Sequence, residues 1–225
     1  MAKGAAQARK SSEETRDRLI TAAGRVLREE GYTGASARVI AKAADVNSAL
    51  IFYHFGGVDQ LLLALLDRSA EERMALHQAT ASRAATLEEL IEAAVEIYHT
   101  DLEGGYLSEF AELVAAAVTR PELRAEINAR AEPWIAFVEE HYERVVGGSP
   151  LARLLPAREV AYGAITYYMG ANFFSVLDED RSRTEAVFDL AARVAPRAKL
   201  LTLRLPRRTG RAGAEPQGAE EAGDE

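Results

Sequence analysis

The chain of 225 residues contains no cysteine. Disulfides and thiolate metal sites are therefore excluded, which agrees with a reducing compartment, and the expected location is cytoplasmic. Long hydrophobic runs are also missing. The aliphatic stretch from Leu61 to Leu66 is far too short for a membrane span, so no membrane partner is expected. Lys3, Arg9 and Lys10 are followed by no apolar segment, and no secretory signal is expected. No segment alternates polar and apolar residues long enough to make a strand. The usual catalytic signatures are absent too: no HExxH, no glycine-rich phosphate loop and no GxSxG elbow. The four histidines, at 54, 77, 99 and 141, do not have metal-ligand spacing, and Glu139-Glu140-His141 reads as an exposed polar helix face. The expectation is a non-enzyme with no metal site and no cofactor.

What remains is apolar enough to fold, with 48% hydrophobic residues. The net charge of −8 is unevenly placed: residues 1–57 hold nine Lys/Arg against six Asp/Glu, leaving a head of +3 on a body of −11. A basic head on an acidic body can present one face to phosphate.

Residues 1–12 read as a disordered basic arm. Ser11 and Glu14 have the spacing of a capping box. Leu19, Ile20, Ala23, Val26 and Leu27 then form a helical stripe that Gly31 ends. A short helix is predicted from Ser36 to Ala44, a tight turn at Asp45-Val46, and a second short helix from Asn47 to His54 with Asn47 as its cap. Gly56-Gly57 breaks the chain, and a leucine-rich helix follows over 58–79. Further helices are predicted over 87–103, 106–118, 121–146, 157–178 and 183–202, and a disordered tail over 206–225. The fold class is thus all-α. A three-helix helix-turn-helix DNA-binding domain over 13–57 precedes a helical bundle over 58–205. Such a motif sets its second short helix into the major groove. Asn47, Ser48, Ala49, Phe52 and Tyr53 would face outward and Val46, Leu50 or Ile51, and Phe55 inward.

At these residues the resemblance becomes specific. Thr15-Arg16-Asp17-Arg18-Leu19-Ile20-Thr21-Ala22-Ala23, Gly31-Tyr32, Ser36-Ala37-Arg38-Val39-Ile40-Ala41, Val46, Phe52-Tyr53-His54-Phe55 and Leu61-Leu62 together resemble the N-terminal domain of the TetR/AcrR family of transcriptional regulators. The match covers residues 15–66, about a quarter of the chain. The resemblance implies a ligand-responsive repressor released from a palindromic operator. Its partners would be double-stranded DNA, a second copy in a homodimer and a small-molecule effector. It implies phosphate contacts from Ser36 and Arg38, base-edge contacts from Asn47, Ser48 and Ala49, and backbone contacts from Tyr53 and His54, with Phe52 on the same face. The chain departs from the family pattern at Asp45, where glycine is usual, at Phe52 for tyrosine, at Val58 for lysine and at Leu50 for threonine or serine. These departures predict weaker, less salt-dependent DNA binding. They leave a second reading, a ligand-binding or protein-interaction module with weakened DNA binding.

The bundle carries most of the aromatic residues. The expected wall of an effector site between its helices is Tyr98, His99, Phe110, Leu113, Trp134, Phe137, Tyr168 and Met169, which favours an apolar or aromatic ligand with no charged recognition group. A dimer interface is expected on the 157–178 helix at Gly163, Tyr167, Gly170, Phe174 and Leu177, with 183–202 beside it. The helix from 58 links head and body and is the expected lever between them.

Overall fold

The computed structural model describes residues 2–104, 106–177 and 181–202, all of it helix, turn or coil with no strand among these residues. The helices are α1 (Ala2–Gly34), α2 (Ala37–Ala44), α3 (Ala49–Phe55), α4 (Val58–Ala81), α5 (Leu87–Gly104), α6 (Tyr106–Thr119), α7 (Pro121–Val146), α8 (Pro150–Leu154), α9 (Ala157–Leu177), α10 (Ser182–Val194) and α11 (Lys199–Thr202). A 3₁₀ turn at Ala195–Ala198 joins the last two. The all-α expectation holds. The expected tail over 206–225 lies outside the described residues.

Several boundaries differ from the sequence reading, among them the helix predicted over 183–202, which the 3₁₀ turn divides. The arm expected to be disordered is helical from Ala2, and Ser11 is no cap: its carbonyl accepts a hydrogen bond from the Thr15 hydroxyl inside α1. Alanine-rich sequence favours helix there, and Arg9 pairs with Glu13 one turn on. Between α7 and α9, where no helix was expected, lies the short helix α8. Ser149 caps it by accepting from the Ala152 N–H at 3.3 Å, and Pro150 occupies its first position.

Gly31 interrupts α1 as expected. Its φ of 69° is left-handed, and a Cβ there would lie 3.1 Å from the Glu112 carboxylate. The core begins with Leu19, Ile20, Ala23, Val26 and Leu27 of α1, all buried, packed on Ile40, Ile51 and the α4 leucines Leu61, Leu62 and Leu63. It continues without a break into Leu113 and Ala117 of α6 and Leu123 and Ile127 of α7. Head and body therefore share one apolar core. A smaller cluster of Tyr142, Val146 and Leu151 closes the far end of α7.

Candidate nucleic-acid interface and ligand cavity

Helix α2 is held at both ends. The Ser36 side chain accepts from the Val39 N–H at 3.4 Å, and at the other end two arginines of α1 take the free carbonyls. Arg18 donates to the Ala44 carbonyl at 2.6 Å and the Asp45 carbonyl at 3.1 Å, and Arg25 donates to the Ala43 carbonyl at 3.0 Å. Asp45 takes the left-handed conformation (φ 53°, ψ 52°) that glycine would take at no cost. The Val46 N–H then closes on the Ala41 carbonyl at 3.0 Å, completing the turn.

Helix α3 starts two residues later than expected, at Ala49, with Asn47 and Ser48 in the turn before it. Asn47 still organises the start, because its Oδ1 accepts the Ala49 N–H at 2.8 Å. Ile51 is fully buried on the inner face. On the outer face Phe52 is 58% and Tyr53 79% exposed, with Asn47 and Ala49 also in solvent. Ser36 and Arg38 of α2 are exposed on the same head. Ser48 and His54 are half-buried, and the His54 ring sits 4.9 Å from that of Tyr53. Phe55 packs against the core, as expected, under the Arg16 guanidinium at 5.1 Å.

In the body, α4, α5, α6, α7 and α9 enclose a cavity of about 220 Å³. Five of the expected wall residues line it: Phe110, Trp134, Phe137, Tyr168 and Met169. Tyr98, His99 and Leu113 do not, which corrects the sequence reading. The lining residues of α5 are Leu90, Ala93, Ala94, Ile97 and Asp101, one helical face, and positions 98 and 99 fall off it. Tyr98 is buried instead against α9, where its hydroxyl meets Ser175 and the Ala171 carbonyl. His99 faces Glu185 of α10 at 3.5 Å. Leu113 belongs to the core shared with the head.

Four polar residues of the cavity were not foreseen: Arg73 and His77 of α4, Asp101 of α5 and His141 of α7. Arg73 Nε donates to Asp101 Oδ1 at 2.9 Å while a second guanidinium N–H reaches Oδ2. His77 Nε2 lies 3.1 Å from both carboxylate oxygens. The Tyr168 hydroxyl donates to Asp101 and accepts from Arg73 at 3.0 Å. Trp134 stacks 4.8 Å from the Arg73 guanidinium. Burial alone would push the Asp101 carboxyl up, but the hydrogen bonds from His77, Arg73 and Tyr168 outweigh it and hold the group below its ordinary range. Burial, reinforced by Asp101, pushes the Tyr168 hydroxyl up, so it remains a donor.

The cavity wall and the head meet on α6. Leu107 and Phe110 line the cavity, while Glu109 and Glu112 of the same helix hold α1. Buried Glu109 pairs with Arg28, and α1 comes this close because residue 24 is glycine, whose Cβ would lie 3.1 Å from the Glu109 carboxylate. Burial pushes the Glu109 carboxyl up against the pull of Arg28. Just beyond α6, Arg120 pairs with Asp59 at 2.9 Å, and the Tyr32 hydroxyl donates to Asp59 at 2.7 Å. Burial and Asp59 push that hydroxyl up to about 12.

Residues 19–65 match the family described as bacterial regulatory proteins, tetR family. The match is confined to the N-terminal head, about a fifth of the chain. Within it the chain is 34% identical over 56 residues to the HTH-type transcriptional repressor NicS of Pseudomonas putida, covering 25% of this chain and 26% of NicS. The chain spans about a quarter of the length of the curated relatives it matches. Beyond the TetR-type domain the fold continues the likeness. A TetR-family regulator from Cytophaga hutchinsonii superimposes with a TM-score of 0.69 at 16% identity, over 83% of this chain and 95% of that one. FadR from Bacillus subtilis, solved in complex with stearoyl-CoA, gives 0.63 at 17% identity over 79% and 96%.

The body attached to the TetR-type domain also carries an exposed apolar face. On α9, Phe174 is 64% and Leu177 78% exposed, with Tyr162 and Phe173 nearby; α10 adds Val187, Leu190 and Val194. A Cβ added at Gly163 or Gly170 would meet nothing within 4 Å. Tyr167 of the expected interface set is half-buried. It ties α9 to α10 within the chain, its hydroxyl donating to the Thr184 carbonyl at 3.1 Å and its ring against Phe188.

Proposed function

We propose that this chain is a ligand-responsive, sequence-specific transcriptional repressor that binds a palindromic operator as a homodimer in the cytoplasm. The observation that carries the reading is the split character of α3. Ile51 anchors it fully buried while Asn47, Ala49, Phe52 and Tyr53 stand in solvent, on a helix of the length a major groove accepts. The match to the TetR family over residues 19–65 supports it.

Dimerisation follows from the exposed apolar face of α9 and α10, and two reading heads would then meet half-sites about one turn of DNA, ~34 Å, apart. Ligand response follows from the cavity between the body helices. That FadR was solved holding stearoyl-CoA supports the capacity of this fold to take a small molecule. A ligand against Phe110 displaces α6, and α6 grips α1 through Glu109 and Glu112, so α6 joins α4 as a lever between cavity and head. Occupancy favours the arrangement in which the two heads no longer fit one face of the duplex.

A gel shift with the DNA upstream of the chain's own coding sequence tests this. The expected result is a retarded complex that survives excess unrelated DNA. A complex that unrelated DNA removes as readily as the specific fragment would contradict it.

A further inference from the structure

The cavity specifies more than an apolar ligand. Its charged pole is already neutralised: the Arg73 cation and the Asp101 carboxylate face each other, and Asp101 takes hydrogen bonds from Arg73, His77 and Tyr168. A carboxylate ligand would bring a second anion to one cation, and an ammonium ligand a second cation to one anion. Either would leave a buried charge without a partner, which is costly in an apolar cavity.

His141, itself only 2% exposed, also lines the cavity. Its Nδ1 lies 2.8 Å from the Phe137 carbonyl, which can only accept, so Nδ1 carries a proton and Nε2 is left as the ring's acceptor position. No hydrogen bond reaches Nε2 among the described residues, yet no fully buried side-chain nitrogen or oxygen there lacks a partner. Nε2 is therefore not sealed in the protein and opens on the cavity that His141 lines. The Phe137 ring lies 4.5 Å from the His141 ring, and Trp134, Phe110 and Met169 share the lining. The volume of about 220 Å³ exceeds the roughly 150 Å³ that holds a benzene elsewhere, and so fits one substituted ring rather than a long acyl chain.

We infer that the cavity takes a small uncharged aromatic molecule bearing one hydrogen-bond donor, a phenol or an aromatic N–H, which donates to His141 Nε2. This rests on the ligand-responsive reading above for its regulatory meaning, though not for binding itself.

The test uses three matched probes, 4-isopropylphenol, isopropylbenzene and 4-isopropylbenzoate, titrated into the full-length protein without DNA. Trp134 is the chain's only tryptophan and lines the cavity, so its fluorescence reports occupancy directly. The phenol is expected to bind about tenfold more tightly than the hydrocarbon, and the benzoate most weakly. His141→Phe should erase the phenol's advantage while the hydrocarbon still binds, and His141→Gln, which keeps an acceptor, should restore part of it. Equal affinities for phenol and hydrocarbon, or tightest binding of the benzoate, would overturn the inference even if neither variant folds. Phenol binding that leaves operator binding unchanged would instead sink the regulatory reading and leave this one standing.

Discussion

The Glu112 carboxylate accepts the backbone N–H of Tyr32 at 2.8 Å, across the break that Gly31 makes in α1. One side of α6 thus holds the end of the head's first helix, while Phe110, two residues earlier, lines the cavity. Glu112→Ala removes the clasp and leaves the cavity wall intact. The expected cost is about 1–2 kcal/mol of stability, read from urea unfolding. Ligand affinity should be unchanged, but the ligand's effect on operator affinity should shrink. An undiminished ligand effect would show that coupling runs elsewhere, through α4.

Asp45 occupies a left-handed turn position, and its side chain is fully solvated. Asp45→Gly should therefore raise stability by up to about 1 kcal/mol, since glycine adopts that conformation without strain. The loss of the 3.9 Å Arg18–Asp45 pair offsets little of this, as both side chains are exposed. A fall in the thermal midpoint would contradict the assignment.

Asp101 gives the body a specific sensitivity to acid. Its carboxyl lies below its ordinary range when folded, so the unfolded chain takes up this proton at higher pH than the folded chain. The stabilisation is complete above about pH 4 and is lost as the pH falls through the folded value. Asp101→Asn leaves Arg73 buried without its counter-ion and should cost about 3 kcal/mol at pH 7, while showing less further loss on acidification. Urea midpoints of both proteins at neutral and acidic pH make the comparison; parallel loss in both would contradict it.

Val58 stands at the first position of α4, where the family resemblance leads one to expect lysine. Val58→Lys should tighten DNA binding and steepen the dependence of log affinity on log salt by about 0.9, the signature of one added phosphate contact. An unchanged slope would place the start of α4 away from the DNA backbone.

Phe174 and Leu177 are exposed apolar residues less than one turn apart near the end of α9. Replacing both by aspartate should convert a dimer to a monomer by size-exclusion with light scattering and remove operator binding with it. A dimer that survives would move the interface elsewhere.

The head was more legible than the body because its cues are local. The start of α2 near Ser36, Gly31 as stop and the turn at Asp45 all follow from neighbours within a few residues, while the choice between Leu50 and Ile51 as the inward residue did not. The clamp by Arg18 and Arg25 was not legible, since nothing in the sequence separates an arginine that donates to a carbonyl 26 positions away from one in solvent. The cavity shows the same limit. Aromatic content located Phe110, Trp134, Phe137, Tyr168 and Met169, but not the helical phase that excludes Tyr98, His99 and Leu113. The pole of Arg73, His77, Asp101 and Tyr168 comes from three helices, and only their packing brings it together. Buried charges inside long helices were a signal available in principle, hidden among many solvated ones.

In the proposed function the outer face of α3 enters a DNA groove in pairs. Hydroxyl-radical footprinting on a site selected from random duplexes tests it most directly. The expected result is two protected patches on one face of the helix, about one turn apart, with the cleavage pattern shifted by Tyr53→Ala. Failure to select any sequence, or a single unpaired patch indifferent to Tyr53, would contradict it.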